Sequence, residues 1–121
     1  MCLITKKSKQ IAKENITCYK VVHLINNKIF SLYFDFKYSL NKLYKIQDMF
    51  TYGIGNHTCV EKAFHSYKSF KIAIEDRDLC WDSFDYNCAI IECTIPKDAE
   101  YYASREAFAS NRIIINKIIC A

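Results

Sequence analysis

Glycine and proline are nearly missing: the 121 residues include two of the first and one of the second. Chain reversals must therefore be built from Asn, Asp and Ser, in clusters such as Asn26-Asn27 and Asp82-Ser83. No internal repeat is visible. No apolar run reaches membrane-spanning length, and residues 1–11 lack the basic-then-apolar order of a secretory signal. There is no Cys-x-x-Cys, so the paired knuckles of a structural zinc site are absent, and the only close pair of ligand types is His57 with Cys59. "GIG" at 53–55 lacks the third glycine that a dinucleotide or phosphate loop needs. No metal and no cofactor are expected.

What the chain does have is apolar mass: 51% of its residues are hydrophobic, with nine Tyr and eight Phe. Ile, Tyr and Phe fit a pleated, half-buried surface better than a helix interior, so a sheet-rich core follows. The length suits one domain. The net charge of +4 is spread over 17 basic and 13 acidic residues, which argues against a nucleic-acid partner. The local exception is Lys6, Lys7, Lys9 and Lys13, read as a basic N-terminal arm over residues 1–14 ahead of one domain over 15–121.

Seven cysteines, an odd number without a signal sequence, are expected to be free thiols in a reducing, cytoplasmic compartment. Strands are expected over 16–25 and 29–38, the latter by period-two alternation, and over 87–96 and 111–120. Residues 39–50 are ambiguous between helix and extended chain. Residues 51–59, with both glycines, read as a loop. Ser66 or Ser69 can cap a short helix near 67–75, and residues 97–110 read as an irregular or briefly helical connection. The expected class is α+β, a mainly antiparallel sheet with one or two short helices.

Three groupings invite chemistry. His65 lies between Phe64 and the helix start, where a satisfied core histidine competes with a catalytic one. Cys59 with His65 and Glu61 or Glu92 has the residue types of an activated thiol. Glu100 with Tyr101, Tyr102 and Arg105 could form a polar ligand patch. Tyr44, Tyr52, Tyr67, Trp81 and Tyr101 are candidates for exposed contact area.

The succession "CYKVV", "FKYSLNKLYK", "AFHSYKSFKIAI", "IIECTIPKDAEYY" and "ASNRIIINKII" resembles a family of small domains of unknown function from tailed phages and gut-type bacteria, some fused to pentapeptide repeats. The likeness covers most of residues 17–119, through short motifs. Ala63 stands where that pattern has a glycine before Phe64-His65, and residues 56–62 lengthen the preceding loop. The resemblance implies a compact α+β domain and carries no activity with it. The layout is also similar to a reduced ADP-ribosyltransferase split sheet, which would give roles to His65 or Tyr19 and to Glu100, although the aromatic-rich helix and Ser-Thr-Ser strand of that group are lacking.

Two functions from different classes remain open at this point. The first is a phage- or mobile-element-type intracellular binding protein with a protein partner, using Tyr67, Trp81, Tyr101 and Arg105. The second is a small nucleotide-binding or ADP-ribosyltransferase-like enzyme using His65, Tyr19 and Glu100. Self-association through "RIIINKII" is a third outcome, should that strand lie at a sheet margin.

Overall fold

Pairing, more than propensity, decides the architecture. The structure, a computed structural model, describes residues 3–31, 36–81 and 87–120, without the side chains of 79–81, 87 and 120. Along the chain run β1 (Leu3–Thr5), β2 (Gln10–Ile11), β3 (Ile16–Ile25), β4 (Lys28–Phe30), β5 (Lys37–Tyr38), β6 (Leu43–Lys45) and β7 (Phe50–Ile54). There follow β8 (His57–Lys62), β9 (Phe64–Tyr67), α1 (Phe70–Trp81), β10 (Asn87–Ile95), β11 (Glu100–Ala103), β12 (Ala107–Ser110) and β13 (Arg112–Cys120).

The long sheet has the order β2-β11-β12-β9-β3-β10-β13-β6, with β4 and β5 joined beside the second half of β3. A small sheet, β1-β8-β7, stands apart from it. The expected strands over 16–25, 87–96 and 111–120 are present as β3, β10 and β13, with β3 and β10 paired along nine residues. Asn26 and Asn27, at φ 51° and 64°, form the tight turn from β3 to β4. The centre of the expected strand over 29–38 and the Asp82-Ser83 turn lie outside the described residues.

The α+β class is overturned: strands dominate, and among the described residues the only helix is α1. Two segments account for the difference. Residues 50–62, read in part as a loop, form the β7–β8 hairpin, in which only Gly55 takes a left-handed φ, at 59°, while Gly53 pairs with Thr58 as ordinary strand. Residues 100–110, read as an irregular connection, form the β11–β12 hairpin. Its alanines are weak strand formers, but β12 pairs with β9 and β11 with β2, so the backbone hydrogen bonds of neighbours override local preference. The lysine-rich N-terminal stretch contributes β1 and β2 to the two sheets.

The long sheet is strongly curled. Phe64 on β9 and Tyr44 on β6 are four strand positions apart, about 19 Å in a flat sheet at the usual strand spacing. Both nevertheless reach the ring of Phe36, with centroids 6.2 and 5.3 Å from it. The concave face holds the main core: Cys18, Val22, Ile91, Cys93, Ile95, Ile113 and Ile115, closed by Tyr38, Tyr44 and Phe64. Each buried Ile contributes about 1.5–3 kcal/mol by leaving water.

The convex face is covered twice. Helix α1 lays Ala73, Phe70 and Ile74 against Val21, Cys88 and Ile90. Ser69 caps it, its Oγ accepting from the Ile72 N–H at 3.2 Å. The small sheet lays Leu3 and Val60 over Ala109, with Ala63 and Ala107 beside them, and these small side chains let the layers approach. Thr5 Oγ1 pins the contact by donating to the Ala103 carbonyl at 2.7 Å.

Candidate functional site

Strand parity distributes the candidate residues. On β9, Phe64 and Ser66 face the concave core, while His65 and Tyr67 face the convex side between α1 and the small sheet. Tyr19 pairs directly with Tyr67 and packs edge-on to Phe70, ring centroids 6.1 Å apart. Tyr19, Tyr67 and His65 thus share one surface of the sheet. His65 Nε2 is 3.1 Å from the Glu61 carbonyl, so this nitrogen carries the proton and donates. Nδ1 is buried and has no hydrogen-bond partner among the described residues. Burial holds the imidazole below its usual 6.5, partly opposed by the Glu61 carbonyl and reinforced by the charge of Lys20. The Lys20 ammonium donates to the His65 carbonyl and lies 5.8 Å from the Tyr38 ring centre.

Glu100 is not brought to this place. It begins β11, two strands from β9, which puts about 10 Å of sheet between it and His65. Its carboxylate is 3.2 Å from the Lys9 ammonium at a largely solvated position. Tyr101 turns to the other face, packs on Phe108 at 5.8 Å and donates from its hydroxyl to Gln10 Oε1 at 3.0 Å. Arg105 is exposed in the turn between β11 and β12. The side chain of Trp81 lies outside the described residues. Tyr67, Tyr101 and Arg105 therefore form no common surface. Tyr44, taken as a contact aromatic, is buried in the concave core, whereas Tyr52 is exposed.

The proposed Cys59 nucleophile is overturned: Cys59 is disulfide-bonded, with its partner outside the described residues, and a disulfide sulfur has no thiolate to offer. The expectation of free thiols holds for Cys18, Cys88 and Cys93. Among the described residues no three His, Cys, Asp or Glu side chains gather into a metal-sized cluster.

Three features escape a reading along the chain. The pairing of β3 with β10 sets Cys18 opposite Cys93 and His23 opposite Cys88. In each strand the two residues are five apart, and an odd separation sends one pair to the concave face and the other to the convex face. Equal spacing in two strand-like runs was the available signal; which strands pair was not. On the convex side, Cys88 Sγ lies 3.7 Å from His23 Nδ1, and both residues are buried. Burial raises the Cys88 thiol above its usual range, so the sulfur keeps its proton beneath α1.

The third feature is the outer face of the small sheet. On β7, Phe50, Tyr52 and Ile54 are 55, 41 and 48% exposed, and Ile4 on β1 is 53% exposed. Ile4 and Tyr52 both stand opposite Cys59, which is itself only 1% exposed, so the exposed apolar groups lie on the two outer strands, on either side of a covered centre. Among the described residues β7 pairs only with β8, leaving its other edge open.

No family model, no curated protein and no solved structure matches this chain.

Proposed function

We propose that the protein is a binding module that engages another protein at the open edge and outer face of the β1-β8-β7 sheet. One observation carries the reading: apolar side chains stand exposed along an edge strand whose outer backbone edge has no strand partner among the described residues. An edge strand that carries exposed apolar side chains beside unpaired backbone groups, as β7 does with Phe50, Tyr52 and Ile54, is what strand-addition recognition requires. The surroundings select the partner's chemistry. Lys6 and Lys7 follow β1 at one end of this sheet and Lys62 pairs with Phe50 at the other, all exposed. An extended apolar segment flanked by acidic residues matches both ends.

The motif order in the chain supports placing the protein with phage- or mobile-element-type domains. No described helix is long and apolar enough to cross a membrane. A cytoplasmic site of action belongs to the proposal: the free thiols of Cys18, Cys88 and Cys93 support it, and the Cys59 disulfide is the feature that speaks against it.

Hydrogen exchange tests the interface. The probe is a panel of synthetic peptides of alternating apolar residues with acidic ends, mixed with the full chain. Slowed exchange at the amides of residues 50–54, lost in Tyr52→Lys with Ile54→Lys, is the expected result. Binding that survives this double substitution, or protection confined to other strands, would overturn the proposal. So would slowed exchange that depends on protein concentration alone, since it would mean self-association.

A further inference from the structure

We propose that Cys18 and Cys93 form a peroxide-reactive dithiol, which hydrogen peroxide converts to a disulfide tying β3 to β10, with the Ser66 hydroxyl assisting at Cys18. The two residues are direct partners in an antiparallel pair and point into the same concave core, each 0% exposed. Directly opposed residues of such a pair have Cα atoms about 4.5–5.5 Å apart, within the about 4.4–6.8 Å that disulfides span. No change of register is needed.

The neighbourhood suits chemistry at one of the two sulfurs. A hydrogen bond from Cys93 is the main influence that lowers the Cys18 thiol, ahead of the opposing effect of burial, and Ser66 and the Lys20 charge add to it. The same sharing of a proton, with burial, drives the Cys93 thiol upward. Of the two sulfurs, Cys18 is the one favoured toward the thiolate, and Cys93 is the one that holds the shared proton. Ser66 is 1% exposed, and its Oγ makes no hydrogen bond of normal geometry among the described residues. A buried hydroxyl left unpaired is costly in a finished core, but here it is a donor held beside a sulfur that becomes anionic.

The steps balance. The Cys18 thiolate attacks one peroxide oxygen, the O–O bond breaks, and hydroxide leaves with the proton that Cys18 had released, as water. Cys93 sulfur then attacks the Cys18 sulfenic sulfur, and its own proton leaves with the displaced hydroxide as a second water. Two thiols lose two electrons and peroxide gains them. Hydrogen peroxide, about the size of water, is the oxidant the proposal names, because both sulfurs are 0% exposed and a bulkier one would be shut out.

The test treats the folded chain with hydrogen peroxide, quenches it by alkylation and maps the peptides by mass. A linkage between residues 18 and 93, formed at a rate proportional to peroxide, is expected. In Cys93→Ala, unfolding the chain into dimedone after the peroxide pulse should label Cys18 as its sulfenic acid, and the same treatment of Cys18→Ala should leave Cys93 unlabelled. Ser66→Ala should slow the linkage by about tenfold, the value of one charge-assisted hydrogen bond. The proposal is overturned if the linkage rate is independent of peroxide, meaning that unfolding limits it. It is also overturned if Cys88, equally buried, oxidises as fast, or if Ser66→Ala leaves the rate unchanged.

Discussion

His23 and Cys88 meet across β3 and β10, with imidazole Nδ1 3.7 Å from the thiol sulfur in a site closed to solvent. On the opposite face of the same two strands, Cys18 and Cys93 repeat the opposition. The two long strands at the centre of the sheet therefore carry three buried thiols and a buried imidazole.

Because burial raises the Cys88 thiol, the native state keeps a proton that the unfolded chain releases near the ordinary value of 9.0. The contribution is complete below that pH and is lost as pH rises through the native value, since the unfolded state then binds fewer protons. Urea midpoints at pH 8 and pH 10 should show a steeper decline in wild type than in Cys88→Ala. Parallel declines would refute the assignment.

His65 behaves in the opposite sense. Its native value lies below 6.5, so the contribution is present above 6.5 and is lost as pH falls, when the unfolded imidazole takes up a proton that the native one resists. His65→Gln should flatten the decline in stability between pH 7 and pH 5. The imidazole signals in NMR should place the His65 titration below that of an unstructured histidine.

Removing the helix cap isolates one hydrogen bond. Ser69→Ala should lower stability by about 1 kcal/mol, and Ser69→Asp should restore it, because the carboxylate accepts the same Ile72 N–H and complements the helix dipole. Thermal melts of the three proteins decide the matter; equal midpoints for serine and alanine would remove the cap.

The two glycines should separate cleanly. An added Cβ meets nothing within 4 Å at either position, so space is not at issue. Gly55 alone has a left-handed φ, at 59°, and Gly55→Ala should therefore cost about 1–2 kcal/mol. Gly53→Ala should be neutral or slightly stabilising, because alanine loses less chain entropy in a strand. A larger loss at 53 than at 55 would contradict the hairpin geometry.

One core substitution gauges the concave face. Ile91 is fully buried between β3 and β13, and Ile91→Ala should cost about 2–5 kcal/mol, read as a fall in the denaturant midpoint.

Much of the sheet was legible. Runs such as "ITCYKVVHLI" and "NCAIIECTIP" state their conformation locally, since short stretches dense in β-branched residues serve no other element so well. The helix start was also local, and its competition between Ser66 and Ser69 was settled by geometry: Ser69 precedes the first turn, and Ser66 belongs to β9. The helix runs on to Trp81, past the expected end near 75, while the apolar residues that pack it on β3 and β10, Phe70, Ala73 and Ile74, lie in its first half.

The hairpins of residues 50–62 and 100–110 were hidden for a different reason. Glycine at 53 and 55, and alanine at 103, 107 and 109, weaken the local strand signal. Those small residues are nonetheless compatible with strands once neighbours supply the hydrogen bonds, and the alanines are what the overlying small sheet needs.

Taken alone, the sequence determined a β-branched and aromatic core, its longest strands, the position of the helix and the absence of a metal knuckle or phosphate loop. Composition and period are local properties, and they survive any choice of partner strand. Only the tertiary structure decided which strands pair. That choice set Cys18 against Cys93, separated Glu100 from His65, withdrew Cys59 from thiol chemistry and, among the described residues, left β7 with an open apolar edge. Contacts between residues far apart in the chain arise from register and curvature, and neither is written in any single stretch of it.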